Sequence, residues 1–352
     1  MIRDTSPSTV AIVPAAAPIE RTGAYAALLA LPRCLAEFGI EPAPFLAERG
    51  FDIRDFRDWP GRFDAYRVDA LLGDCVAATR CAHFGLLVGR GVGLVAAGIL
   101  GRAARHADTV GQALQDLALL PRMRDTVGAL HVATSRNEVR LGFAIHVPGL
   151  RHVDQGYDMM LGLMHNVMVE LCGPDWQPTM VHLPRRRPKD VRPYHEHLGR
   201  HLLFNATEAA LVFPVGTLRQ RVPGADPLLR ELVLRHAEFD IVKREPALLA
   251  EVRRAVRVGL IDRDPSRRGA ARRLGLHERT LGRRLQDAGT TFHALLDETR
   301  VTVARQLLQS TDAPVGKIAA ALGYRDSTVF ARAFRRHVGT TPRAYRDRQV
   351  RR

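Results

Sequence analysis

The sequence predicts two domains of different class. An α+β domain covers about residues 22–218, and an all-α domain covers about 250–348, where a long helix joins two helix-turn-helix units. Three observations predict this. A pattern of short helix, glycine turn and second helix occurs twice, about 48 residues apart, with one extra residue in the second copy's turn. The stretch between the copies carries the apolar spacing of one continuous helix. Upstream, the hydrophobic period switches from helical to alternating near residue 130.

In chain order, residues 1–21 read as a tail, without the basic start or cleavage site of a signal peptide. Helical spacing follows in Ala24 to Phe38 (Leu28, Leu29, Leu31, Cys34, Leu35), in Ile40 to Arg49, in Asp64 to Gly85 and in Thr109 to Met123. Leu130–Thr134 and Val139–Ile145 alternate about Ser135–Glu138 and read as a hairpin. Asp158 to Leu171 is helical, and Thr179–Leu183 and Ala210–Phe213 read as strands. Residues 219–249 form a linker that contains an amphipathic helix from Pro227 to Phe239 and breaks at Pro246.

The C-terminal units span about 267–288 and 315–338. In the second, Ala319, Ala320 and Ala321 lead to the turn Leu322-Gly323-Tyr324. The next helix has Val329, Phe330, Ala333 and Phe334 as its anchors and Ser327, Thr328, Arg332, Arg335 and Arg336 on its other face. The first repeats this with Leu274-Gly275-Leu276; allowing one extra residue in the second turn, Leu281, Arg283 and Leu285 line up with Phe330, Arg332 and Phe334. Between them, Phe292, Leu295, Leu296, Val301, Ala304, Leu307 and Leu308 fit a helix of about five turns. A pair of short helices whose second member is polar and arginine-rich fits a DNA major groove.

The motifs R-T-L-x-R-R-L (Arg279 to Leu285), G-T-T-F (Gly289 to Phe292) and I-A-x-x-L-G-Y (Ile318 to Tyr324) resemble the DNA-binding domain of the AraC/XylS family of bacterial transcription regulators. So do S-T-x-F-x-R-x-F (Ser327 to Phe334) and G-T-T-P-R-A-Y-R (Gly339 to Arg346). The chain departs from that pattern at His277, where the family usually has a capping Ser, and at Gly282 inside the first recognition helix. Both changes should soften the first unit. Asp175-Trp176-Gln177-Pro178, Pro188, Tyr194, Leu198-Gly199 and Phe204-Asn205-Ala206 resemble the arabinose-binding-type effector-sensing domain of one branch of that family. The branch includes regulators responding to amino acids and others linked to virulence or cell-envelope lipids.

Charge agrees with this reading. Residues 251–352 hold 23 Lys+Arg and 10 Asp+Glu, a balance of +13, whereas the whole chain is +15. One compact segment thus holds nearly all the basic excess, as a phosphate-binding module does. No run of apolar residues is long enough for a membrane span. Cys34, Cys75, Cys81 and Cys172 follow no disulfide framework and read as reduced cytoplasmic thiols.

Three constellations admit sharper readings, each beside a plainer one. His182, His195, His197 and His201 could share a metal, but a polar connection before the Phe204 strand is the favoured reading. Arg185-Arg186-Arg187 beside Pro188 and Lys189 could hold an acidic effector or DNA, or form a solvated loop. Gly85, Gly89, Gly91, Gly93 and Gly98 follow a helix, not a strand, so the dinucleotide-binding context is missing. No motif for nucleophilic catalysis or phosphate cradling occurs, and we expect no enzyme, cofactor or metal site.

Aligning the two recognition helices puts Glu278, Arg279, Arg283, Ser327, Thr328 and Arg332 at base edges, with Arg284, Arg335, Arg336 and Arg343 at phosphates. The resemblance implies a cytoplasmic, nucleoid-associated activator. Its expected partners are double-stranded operator DNA, RNA polymerase, a small-molecule effector and a second copy in a homodimer, with no membrane. The residues alone leave open a ligand-independent regulator whose N-terminal domain only dimerises.

Overall fold

The computed structural model describes residues 22–24, 26–56, 62–117, 127–145, 147–242 and 248–350. The tail, the end of the Thr109 to Met123 segment and the break at Pro246 lie outside these residues. A short antiparallel pair, β1 (Thr22–Ala24) and β2 (Arg62–Asp64), brackets helices α1 (Leu31–Glu37) and α2 (Pro42–Ala47). Then come α3 (Ala65–Thr79), α4 (Phe84–Arg90), α5 (Gly98–Arg105) and α6 (Val110–Leu117). The sequence gives Asp64 to Gly85 a single helical pattern, but α3 stops where Arg80 turns left-handed (φ 52°), and α4 leaves at 108°. No Gly or Pro marks that stop.

The strands β3 (Gly128–Thr134), β4 (Glu138–Ile145), β5 (Met180–Leu183), β6 (Leu202–Phe204) and β7 (Ala209–Pro214) form one mixed sheet in the order β3-β4-β7-β5-β6. The β3–β4 hairpin closes where Ser135 N donates to Glu138 O at 2.8 Å. Helix α7 (Val153–Cys172) starts earlier than its apolar spacing suggests, because Asp69 of α3 accepts from the Arg151 and His152 amides at 2.7 and 2.9 Å. Such a carboxylate satisfies donors that a helix start leaves orphaned.

Glycine sets the approach of α4 to α7. A Cβ at Gly85 would lie 2.2 Å from Gln155 O, and one at Gly89 would lie 2.0 Å from Met159 O. The glycines therefore serve close helix packing, and Gln155 fastens it by accepting from Gly85 N and donating to Ala82 O, both at 2.9 Å. Two hydrophobic clusters result. One lies among α1 to α4, and the other lies between α7 and the sheet around Leu141, Met168, Leu171, Leu211 and Phe213.

After α8 (Arg192–Leu198) and α9 (Pro227–Val242) the chain is all-helical: α10 (Leu248–Ile261), α11 (Arg267–Arg273), α12 (Glu278–Asp287), α13 (Phe292–Ser310), α14 (Val315–Ala321), α15 (Ser327–Val338) and α16 (Pro342–Val350). These helices share a third, separate hydrophobic cluster centred on Val256, Leu281, Leu285, Leu308, Ile318, Phe330 and Phe334. The architecture is a mixed α/β domain with a five-stranded sheet, followed by a helical domain with two helix-turn-helix units. Among the described residues no single helix is long and apolar enough to cross a membrane.

Candidate nucleic-acid interface

The two units are built by the same local chemistry. At the end of α11, Leu276 N donates to Ala271 O at 2.9 Å and Gly275 N to Arg272 O at 3.2 Å. At the end of α14, Tyr324 N donates to Ala319 O and Gly323 N to Ala320 O, both at 3.0 Å. Gly275 (φ +66°) and Gly323 (φ +73°) take the left-handed position that this helix ending requires. Each following helix has a side-chain cap. His277 Nδ1 accepts from Arg279 N at 3.3 Å, and Asp326 accepts from Thr328 N. The His277 bond is at the long end of the range for a backbone amide. Accepting that amide also holds the Asp326 carboxyl below the usual carboxylate range.

Beneath the recognition helices, Leu281 and Leu285 of α12 and Phe330 and Phe334 of α15 are buried. Phe330 packs on Tyr324 (5.4 Å between ring centres) and Phe334 on Tyr345 of α16 (5.6 Å). Arg300 of α13 stacks over Tyr324 at 4.7 Å and donates from Nε to Leu322 O at 2.9 Å. The long helix thus supports the second turn directly.

Arg279, Arg283, Arg284, Ser327, Thr328, Arg332, Arg335, Arg336 and Arg343 are all exposed. None of these arginines has an ion-pair partner within 4.0 Å among the described residues, so their donors are open to a ligand. Glu278 differs: its Oε1 accepts from Arg267 Nε at 2.9 Å, which ties α12 back to α11. Other basic residues of α11 are likewise engaged, Arg272 with Asp264 (3.0 Å) and Arg273 with Asp262 (2.9 Å). Val329 corrects the sequence reading. It is 49 % exposed on α15 and anchors nothing, because Phe330 and Phe334 fill the core side of that helix.

The helical domain meets the α/β domain across a polar seam that the sequence did not disclose. Gln306 of α13 donates from Nε2 to Val147 O at 2.9 Å, and Gln309 donates to Leu150 O at 3.1 Å. Arg186 Nε donates to Asp312 Oδ1 at 2.8 Å and its Nη1 to Gln309 O at 2.7 Å. Asp312 N donates to Asn205 Oδ1 at 2.8 Å. At the centre sits Arg257 of α10, 4 % exposed, which donates from Nη2 to Gln306 Oε1 at 2.5 Å and meets Tyr157 OH at 3.2 Å. Its Nη1 has no hydrogen-bond partner among the described residues, and burial lowers its pKa. The only local signal was a lone Arg on the apolar face that Val252, Val256 and Leu260 define.

The Arg185-Arg186-Arg187 run is therefore only partly a solvated loop: Arg185 is buried, Arg186 half-buried and Arg187 exposed. Arg185 is buried against Asp158, whose Oδ2 also accepts from Tyr194 OH at 2.6 Å. Burial pushes the Asp158 carboxyl up to about 6 against the opposing pull of Arg185 and Tyr194. Arg187 stacks over Phe204 at 5.5 Å. The histidines go separate ways: His182 to Glu208 (3.3 Å), His195 to Gly199 O (3.2 Å), His197 against His165 (4.9 Å between rings), with His201 at the surface.

Comparison with known proteins follows the same division. Residues 39–222 match the arabinose-binding domain of AraC transcription regulator, N-term, and residues 270–348 match a helix-turn-helix domain. The chain is similar to the HTH-type transcriptional regulator VirS of Mycobacterium tuberculosis, 28% identical over 89% of this chain and 92% of that one. It is similar to the ornithine utilization regulator of Pseudomonas aeruginosa, 29% identical over 80% and 81%. Among solved structures, the transcriptional regulator CdpR from Pseudomonas aeruginosa is 25% identical over 90% of this chain and 96% of that chain, with a TM-score of 0.45.

Proposed function

From the premise that the chain belongs to the AraC family of DNA-binding transcription regulators, we propose that it activates transcription in response to a small-molecule effector. The observation that carries DNA reading is the repeated turn with open arginines beyond it. Arg283 and Arg332 bond guanine O6 and N7, with Arg279, Ser327 and Thr328 beside them. Glu278 reads a base only by giving up Arg267. Arg284, Arg335, Arg336 and Arg343 clamp phosphates. RNA polymerase and a second copy of the chain complete the assembly at the promoter, at the nucleoid in the cytoplasm. No catalytic step enters this reading.

The polar seam supports the effector half of the proposal. The α/β domain and the helical domain keep separate hydrophobic clusters, and what joins them is hydrogen-bonded and holds an unneutralised buried guanidinium. A contact of this kind separates at lower cost than a fused apolar core. An effector that binds one arrangement more tightly shifts its population and moves the recognition helices.

Selecting genomic fragments with the full chain, then footprinting, should show protection over two successive major grooves on one face of the duplex. No enrichment of any sequence would overturn DNA reading. Melting the full chain with metabolites such as amino acids should reveal a compound that stabilises it and alters operator affinity. A compound that stabilises the chain while operator affinity and promoter output stay unchanged would sink the coupling.

A further inference from the structure

We infer that Val329 is a specificity-determining residue of the second unit, its isopropyl group taking the C5-methyl group of one thymine in the operator. Val329 is 49 % exposed and belongs to none of the hydrophobic clusters, because Phe330 and Phe334 fill the core side of α15 without it. Helix propensity does not account for it either, since a β-branched side chain is stiff and less favourable than Ala in a helix. A single exposed valine is ordinary on a protein surface, so its place decides what it does.

That place is the first turn of the recognition helix, where such helices set their residues against base edges. At about 100° per residue, Val329 lies roughly 60° from Arg332 around α15 and roughly 140° from Phe334. Val329, Arg332 and Arg336 follow the spacing of one helix face, and both arginines are exposed. Neither has an ion-pair partner within 4.0 Å among the described residues. An apolar group set into a stripe of open positive charge fits DNA better than an apolar protein surface, which would have to bury those arginines unpaired.

The chemistry of the groove then selects the base. Every base pair offers hydrogen-bond donors and acceptors in the major groove, and thymine adds a methyl group. Valine has neither donor nor acceptor on its side chain, so it packs against that methyl and gains no hydrogen bond from any other base. A cytosine in the same place, without the methyl, would leave a gap. Val329 and Arg332 are about 4.5 Å apart along the helix axis, against about 3.4 Å for one base step. The thymine therefore lies within about two base pairs of the guanine that Arg332 bonds. Thr280, one residue before Leu281, stands at the matching place in the first unit and is half-buried, so the exposed apolar group is particular to the second unit. The inference deepens the DNA reading proposed above and rests on it.

Replacing the thymines of a selected operator one at a time by deoxyuridine, which lacks only the methyl group, tests the contact. The full chain should bind about fourfold more weakly when the thymine near the Arg332 guanine is replaced. Val329→Ala should bind the intact operator about fourfold more weakly, keep its affinity for random DNA, and no longer respond to deoxyuridine at that position. Its melting temperature should not fall, because Ala is the better helix former at an exposed site. An equal response of wild type and Val329→Ala to deoxyuridine at every thymine overturns the inference. So does a lower melting temperature, which would mean that Val329 packs against the chain's own core. If Arg332→Ala loses discrimination while no deoxyuridine change alters binding, the inference fails and DNA reading stands. If no duplex is preferred over random DNA, both fail.

Discussion

Arg257 donates to Gln306 at 2.5 Å, and Gln306 carries the contact across the seam to the Val147 carbonyl at 2.9 Å. No carboxylate lies within ion-pair distance of Arg257 among the described residues. One amide side chain thus accepts the shorter of the two hydrogen bonds of a buried cation and forms one of the links between two domains.

Removing that amide should therefore cost more than removing the charge. Gln306→Ala leaves Arg257 with Tyr157 alone and takes a donor from the Val147 carbonyl, a loss of about 1–3 kcal/mol. Arg257→Leu with Gln306→Leu takes both partners away and should be milder, because an apolar pair leaves no buried charge. Melting of the full chain should rank the two in that order. The reverse order would mean that Arg257 has a counter-charge when folded. Gln306→Ala should also change operator affinity, although Gln306 is buried and is not one of the exposed recognition residues.

Acid should weaken the α/β domain through two neutral rings. His165 is 5 % exposed against Trp176 and His197, and burial lowers both histidines to about 4 from 6.5. The unfolded chain takes up these protons near 6.5 and the folded chain resists until about 4. Their contribution is therefore complete above 6.5 and is lost as pH falls towards 4. Each ring accounts for a loss on the order of 3 kcal/mol at most. Asp158, raised to about 6, acts in the opposite sense and offsets part of the loss between 6 and 3.8. His165→Phe should flatten the acid limb of the melting curve; an unchanged limb would show that His165 carries no part of it.

The helical domain was legible because its determinants are local. Gly275 and Gly323, the paired anchors and the long apolar spacing act within a few residues of where they stand. The hairpin at Ser135–Glu138 was legible for the same reason. The seam was not, since neither Arg257 nor Gln306 shows a partner far away in sequence. Arg185 to Arg187 read as one solvated run because charge hides direction: successive side chains go to Asp158, Asp312 and Phe204. Val329 misled because it borders the apolar stripe without facing the core. The break at Arg80 lacked the Gly or Pro that usually announces one.

Gly282 offers a test of the softened first unit. A Cβ there would meet only Arg267 Nη1, at 3.8 Å, so the site has room. Gly282→Ala should stabilise α12 by roughly 1 kcal/mol. Hydrogen exchange of the α12 amides should slow by a matching factor, with operator affinity equal or higher. Unchanged exchange would show that the first recognition helix is not limited by this glycine.

The sharpest test of the interface separates readers from clamps. Arg283 and Arg332 sit at matching positions of two similarly built helices, exposed and without an ion-pair partner. Arg283→Ala or Arg332→Ala should cost about 1–3 kcal/mol on the operator, much less on random DNA, and relax preference at one base. Arg335, Arg336 and Arg343 lie towards or beyond the end of α15 and are proposed to take the phosphate backbone as partner. Neutralising one should weaken binding to all sequences alike and reduce the slope of log K against log salt by roughly 0.9. The two classes therefore separate in a titration series on operator and random duplexes over several salt concentrations. If Arg332→Ala lowered both affinities equally while Arg335→Ala lost discrimination with an unchanged salt slope, the two roles would have to be exchanged.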